Sequence, residues 1–382
     1  MSADATTQDE LHSHLALALV PGLGPKLTAA LLAHFGSASA ALAATAPQLL
    51  RIPLIGDKLA SQFVASFRTV DAKAELALLT KHGVTPLLSS DPRYPSRLLT
   101  ITDAPSLMYV KGETAASDAN SIGIVGSRAC TPYGKRITER IAGDLARAGW
   151  TVISGLARGI DACAHRGALD AGGRTIAVLA GGLAKIYPPE HKDLSEQVAK
   201  QGYLITETPM TVAPQPGMFP ARNRIISALS RAIVVVEANI KSGALITVTH
   251  AAEQGREVFV VPGPVDSEAS AGCLELIRKG ARLVRNADDI LEDVRGIAPP
   301  DAVPVKKVAT LFDVPKTPAV PVKPEGLDEV HQKVWDALTE PKHADELTRV
   351  AGVTASELSR VLMMLELKRI IKRLPGNVYD RR

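Results

Sequence analysis

Three short stretches collect residue types that suit a polyanion. The first is Gly126-Ser127-Arg128, within SIGIVGSRACTPYG from Ser121 to Gly134, where an apolar strand stops at a glycine turn and a helix follows. Such a turn offers backbone amides at a helix N-terminus, the usual cradle for phosphate. The G-x-G-x-x-G spacing of a dinucleotide site is missing, and an arginine is added. The second stretch is QPGMFPARNR, which sets Phe219 in a glycine- and proline-rich loop just ahead of Arg222, Asn223 and Arg224. Arginines at a helix start oppose its dipole at about 0.3–1 kcal/mol each, and an anion between them turns the cost into a gain. Exposed rings stack the bases of a single strand at about 1–3 kcal/mol each while cations follow its backbone. The same residues also admit a structural reading, with Phe219 as a core anchor and an arginine paired to Glu207 or Glu237. Lys241, Ser242 and Gly243 in NIKSG form the third stretch, and Lys185 and Lys192 in AGGLAKIYPPEHK complete the set.

The elements around these stretches must bring them together. SIGIVGS, TVISGL, TIAVLAG, YLITET, AIVVVEA, EVFVVPG and ARLV are short apolar runs separated by amphipathic helical stretches. That texture predicts a doubly wound, Rossmann-like parallel sheet covered on both faces, preceded by strands in VTPLLSS and LMYVKG. In such a sheet the loops leaving the carboxyl ends of the strands share one edge, where ligands bind. Every candidate named above leaves that edge, as do Ser154 and Arg158, against the carboxylates Asp161, Glu190, Glu207 and Glu237. Thr131-Pro132 reads as the cap and first residue of the helix behind Arg128.

Enzyme readings lack parts. The second strand ends in ISG where a nicotinamide enzyme wants an acidic residue, and no G-K-[ST] of a P-loop exists. Asp161 and His165 have dyad spacing, but read as readily as a helix cap and a packed histidine. The strongest enzyme alternative is a nucleotide-processing phosphoribohydrolase of the lysine-decarboxylase-like family, whose P-G-G-x-G-T-x-x-E signature KSGALITVTH resembles. Gly243 and Thr247 are kept, and His250 stands where the catalytic glutamate falls. Cys130, Cys163 and Cys273 are scattered, which indicates neither zinc nor a disulfide framework. We expect no cofactor and no metal.

Length and charge frame the rest. The chain has 382 residues, 22% charged and only 4% aromatic, with a net charge of +4. Residues 121–290 alone carry +4, a modest excess that many solvated surfaces share. The polar, acidic N-terminus is unlike a signal peptide, and no apolar run approaches membrane-spanning length, so a cytoplasmic protein without membrane insertion is expected. Residues 1–83 form a helical module in which PGLGPKLTAALLAHF and PLIGDKLASQFVASF repeat 32 residues apart. The repeat reads as helix-hairpin-helix or as a packing module of the sterile-alpha-motif sort. Residues 84–295 hold the sheet, and 296–325 form a proline-rich linker. Residues 326–382 read as three helices and a two-stranded wing, a winged helix-turn-helix.

Taken in order, GIVGSRACTPYG, SGLARGIDACAHRGAL, TIAVLAGGL, IYPPEH, FPARNRIISALSRAIVVVEA, SGALITVTHAAEQGREVFVVPG and LIRKGA resemble the successive motifs of the DNA-processing protein A family, DprA or Smf. The resemblance covers about residues 85–290, and the flanking modules match the longer members. It implies a recombination mediator without turnover of its own, which binds and protects single-stranded DNA and loads the RecA recombinase during natural transformation, acting as a homodimer. It also implies DNA contact at Gly126-Ser127-Arg128 and at the Phe219–Arg224 stretch. The chain departs from frequent family choices at Ala184 and His191.

Overall fold

The computed structural model describes residues 3–295, 329–338, 342–367, 371–374 and 378–381, and the chain divides into a unit of residues 1–303 and another of 304–382. The linker read at 296–325 lies outside the described residues.

The first unit is built on a nine-stranded sheet. Its strands are β1 (Thr85–Leu88), β2 (Leu107–Gly112), β3 (Ser121–Gly126), β4 (Thr151–Ser154), β5 (Thr175–Val178), β6 (Tyr203–Thr206), β7 (Ala232–Val236), β8 (Glu257–Val260) and β9 (Arg282–Leu283). They lie in the order β1-β2-β6-β5-β4-β3-β7-β8-β9. From β3 onward all pair in parallel. The pair β1–β2 adds an antiparallel edge through β6, with Tyr109 opposite Thr206. The sheet is therefore mixed, with the doubly wound parallel core expected from the apolar runs.

Successive residues of a strand point to opposite faces, and here both faces are buried. Ile122, Ile124, Val234 and Val236 pack against Ile137, Ile141 and Leu145 of the Pro132–Arg147 helix. Val125, Ile153, Val178 and Val235 pack on the other face with Ile225 and Leu229. The helical segment contributes Leu15 and Leu79 to a cluster with Tyr109 and Leu179. It also has a core of its own around Leu31, Leu49 and Phe63. Its two repeats become helices Pro25–Phe35 and Asp57–Phe67, each entered through an extended glycine, Gly24 and Gly56.

The second unit has helices Glu329–Ala337, Ala344–Ala351 and Ala355–Leu367 and a three-stranded sheet of Lys342–His343, Val378–Arg381 and Ile371–Leu374. Trp335, Leu347, Leu362 and Leu365 form its core. This is a winged helix; the Pro-Gly-Asn turn read for its wing lies outside the described residues.

Candidate nucleic-acid interface

The strand order reverses at β3. Strands β4, β5 and β6 extend to one side of it, and β7 and β8 to the other. Loops leaving β3 and β7 diverge, and a crevice opens between them, the position where open α/β sheets bind ligands. A cleft of about 690 Å³ lies there, with Gly126, Ser127 and Arg128 on one side and Lys241, Ser242 and Gly243 on the other. Phe219, Arg222 and Asn223 reach it from the helix Met218–Leu229.

The β3 turn is locked by its backbone. Ser127 N–H donates to the Glu237 carbonyl at 2.7 Å, and the Ser127 carbonyl accepts from Ile160 N–H at 3.0 Å. A Cβ on Gly126 would run into the Val236 carbonyl, which is why this turn takes glycine. As the sequence predicts, Thr131 caps the following helix, accepting from Gly134 N–H at 3.2 Å, with proline next. This helix start is nevertheless already filled. The Glu237 carboxylate accepts from Thr131 N–H at 2.8 Å and from the Thr131 hydroxyl. A carboxylate from the residue that follows β7 thus takes the place offered to a phosphate, and the Arg128 side chain is left exposed toward the cleft.

Arg128 does not stand alone. Its guanidinium lies over the Phe219 ring, 4.8 Å from the centroid. The Tyr187 ring sits 5.9 Å from Phe219, tilted by 56°. Lys185 and Arg158 line a narrow recess beside this cluster, together with Arg128, Tyr187 and Phe219. Tyr187 was missed in the sequence. The criterion that singled out Phe219, an aromatic in a proline-rich loop of an aromatic-poor chain, selects it equally well.

The structure corrects the reading of the second stretch. Phe219 is half-buried in the first turn of a helix, not in a loop, because that helix already begins at Met218 with Gly217 as its cap. Asn223 lies inside that helix, and its side-chain amide reaches the Gly243 carbonyl at 3.4 Å. Arg222 is only 4% exposed and donates to the carbonyls of Gly155, at 2.6 Å, and Val178. Burial lowers its pKa to about 10, with Asp161 opposing the shift, so it stays charged at neutral pH. Arg224 pairs with Glu207 and lies 3.4 Å from Asp103, the structural role left open for one arginine. It lines neither the cleft nor the recess. Lys192 opens the helix Lys192–Gln201, exposed and outside both.

Asp161 is buried at the cleft floor, its pKa raised by desolvation and moderated by Arg222. His165 is fully buried, its Nδ1 2.7 Å from the Thr175 hydroxyl and its pKa lowered to about 3 by burial. It is a packed neutral histidine rather than half of a dyad. His250, at the position of the hydrolase glutamate, lies 3.4 Å from Glu253 on its own helix and is not among the residues lining the cleft. The departure at His191 is absorbed internally: its Nδ1 lies 2.8 Å from the Leu156 carbonyl. Among the described residues no cluster of His, Cys, Asp and Glu could hold a metal, and no helix is long and apolar enough to cross a membrane.

The fold and the site define a Rossmann-like protein with a cation-lined, aromatic-lipped crevice at its switch point, joined to a winged helix. The sequence profile of DNA recombination-mediator protein A matches residues 85–295, and that of the DprA winged helix domain matches 317–377. Protein Smf of Synechocystis sp. is 34% identical over 96% of this chain and 98% of its own length. The crystal structure of DNA processing protein A from Streptococcus pneumoniae superposes with a TM-score of 0.65 at 32% identity, covering 74% of this chain and 97% of its own. DNA processing protein A from Helicobacter pylori, whose structure is described for its single-stranded DNA binding mode, superposes at 0.51 with 29% identity, over 56% of this chain and 95% of its own. The chain belongs to the DNA recombination-mediator protein A family, the DprA or Smf proteins.

Proposed function

We propose that this protein binds single-stranded DNA along the switch-point edge and acts in recombination without a turnover of its own. The observation that carries the reading is the Arg128–Phe219 pair, a guanidinium held 4.8 Å from an aromatic centroid at the mouth of a cleft. A planar cation on a ring is a sequence-tolerant stacking platform, and every base has a face to place on it. Phosphates then run toward Lys185 on one side and Lys241 and Ser242 on the other. Gly126, Ser127 and Gly243 let the backbone approach, Asn223 orients the rim, and Arg222 holds the floor. The single-stranded DNA named for the Helicobacter pylori relative supports this reading.

Family membership supports the finer steps. The bound strand is protected and passed to the RecA recombinase during natural transformation by a cytoplasmic homodimer. Fluorescence anisotropy with labelled oligonucleotides tests the binding: single strands are expected to bind more tightly than blunt duplex, with affinity falling as salt rises. Equal or tighter duplex binding refutes it. Loading is tested by RecA filament formation on strands coated with single-strand binding protein. No acceleration by this protein would remove that step and leave the binding intact.

A further inference from the structure

Two helix N-termini face the switch point, and they differ. The start of Pro132–Arg147 is closed by Glu237. The start of Ala244–Glu253 has Gly243 as its cap and no acidic residue in its first turn, and its first amides are taken by neighbours in the chain, Leu245 N–H by the Ser242 carbonyl and Ile246 N–H by the Gly243 carbonyl. One turn in, Thr247 lines the same cleft at 1% exposure, and its hydroxyl has no hydrogen-bond partner. A buried donor left unmade is costly, and native structures keep few of them. The Nε of Arg222 is a second buried donor without a partner, also at the cleft. Around them, Lys241 is exposed and the Ser242 hydroxyl accepts from Ala244 N–H at 3.3 Å.

Resting on the single-strand reading, we infer that Thr247, Ser242, Lys241 and the Arg222 edge form a subsite for a phosphomonoester, distinct from the Arg128–Phe219 platform. Charge favours a monoester over an internal diester. Across the whole cleft, Arg128 of the platform with Lys241 and Arg222 stands against Asp161, the one carboxylate among the cleft-lining residues; the sum of about +2 balances the charge of about −1.5 to −2 on a phosphomonoester at neutral pH. Access agrees. Thr247 and Arg222 are floor groups, reached by a group that ends in the cleft rather than by a chain that must enter and leave. The same chemistry belongs to the 5′-phosphate of a strand and to a free nucleoside monophosphate.

Thr247→Val keeps the shape and removes the hydroxyl. Without ligand its melting temperature should equal or exceed that of the wild type, since an unsatisfied buried group is deleted. With 3′-labelled oligothymidylate, wild type should bind the 5′-phosphorylated strand about tenfold more tightly than the 5′-hydroxyl strand, the worth of one hydrogen bond to a charged group. Thr247→Val should lose that preference and keep its affinity for the 5′-hydroxyl strand. If adenosine monophosphate raises the melting temperature of wild type but not of Thr247→Val, while both strands bind alike, the source is the free nucleotide. No preference and no nucleotide effect, or a tenfold preference that survives in both Thr247→Val and Ser242→Ala, overturns the subsite. Binding of the 5′-hydroxyl strand measures the single-strand reading separately, so either can fail while the other stands.

Discussion

Replacing Arg222 by alanine should unfold the protein's sheet edge before it touches DNA binding directly. The guanidinium bridges the Gly155 carbonyl after β4 and the Val178 carbonyl at the end of β5, beneath a cleft whose floor also holds Asp161. Alanine takes the Arg222 donor from two buried carbonyls and the nearby positive charge from the buried Asp161 carboxyl, which keeps its bond from Ala157 N–H. Breaking one side of a buried pair costs about 3–5 kcal/mol, and at about 2–4 °C per kcal/mol for a unit somewhat smaller than this one, a fall of roughly 6–20 °C in melting temperature follows. Both bonds leave the one nitrogen Nη1, so a lysine ammonium, with its three donors, should recover part of the loss. Gly155→Ala offers an independent perturbation, since its Cβ would meet that guanidinium, and it should destabilise in the same direction. Urea titrations of the three variants, beside anisotropy at several salt concentrations, make the comparison. A stable Arg222→Ala protein that loses affinity for a 5′-hydroxyl strand together with about one unit of salt slope would refute the reasoning and make Arg222 a contact to the internal phosphates.

Three further outcomes follow from the geometry. Phe219→Ala should weaken single-strand binding by about 1–3 kcal/mol with its salt slope unchanged, and pairing it with Arg128→Ala should give a combined loss smaller than the sum, because the two groups form one platform; full additivity would separate them. His165, held neutral with its pKa down at about 3, makes the unfolded state bind the extra proton below pH ~6.5. Stability should therefore fall by about 1.4 kcal/mol per pH unit from this group as pH drops through that window, and a His165→Gln protein should show a correspondingly flatter acid limb in urea titrations from pH 7 to 4. A chain ended near Pro299 retains every cleft residue and the whole nine-stranded sheet, so calorimetry should find it folded and anisotropy should find wild-type single-strand affinity; loss of binding would bring the winged helix into the DNA site.

The sheet was readable because burial on both faces writes itself as short apolar runs, and each of those runs became a strand. The Thr131-Pro132 helix start was readable because capping is local chemistry. The antiparallel edge was not, since pairing direction is decided by where the chain returns. Nor could the sequence reveal that Glu237 occupies the helix start at Thr131: the two residues are 106 apart and meet only through the β3–β7 pairing. Phe219 was placed in a loop because glycine and prolines surround it, yet proline in a first helical turn lacks only a donor that would be unsatisfied there anyway.

Arginines posed the hardest case, and their burial sets the scale of the salt dependence. Seven cations were read onto the ligand edge: Arg128, Arg158, Lys185, Lys192, Arg222, Arg224 and Lys241. Pattern cannot tell a cation that faces solvent from one that the topology sets against a carbonyl or carboxylate. Here Arg224 is bound to Glu207, Arg158 to Glu190 at 2.5 Å, and Arg222 to two strand-end carbonyls. Lys192 lies off the cleft and the recess. Arg128, Lys185 and Lys241 remain as exposed cations lining one or the other. With each phosphate neutralised contributing about −0.7 on a single strand, the slope of log K against log salt should be about −2, whereas all seven would give about −5. Anisotropy titrations on a short oligonucleotide, from low to moderate salt, measure it directly. A slope near −5 would mean that DNA reaches Lys192, opens the exposed Arg158–Glu190 pair and frees the buried Arg222 and Arg224, and the closed arrangement would then be only the resting state of the site.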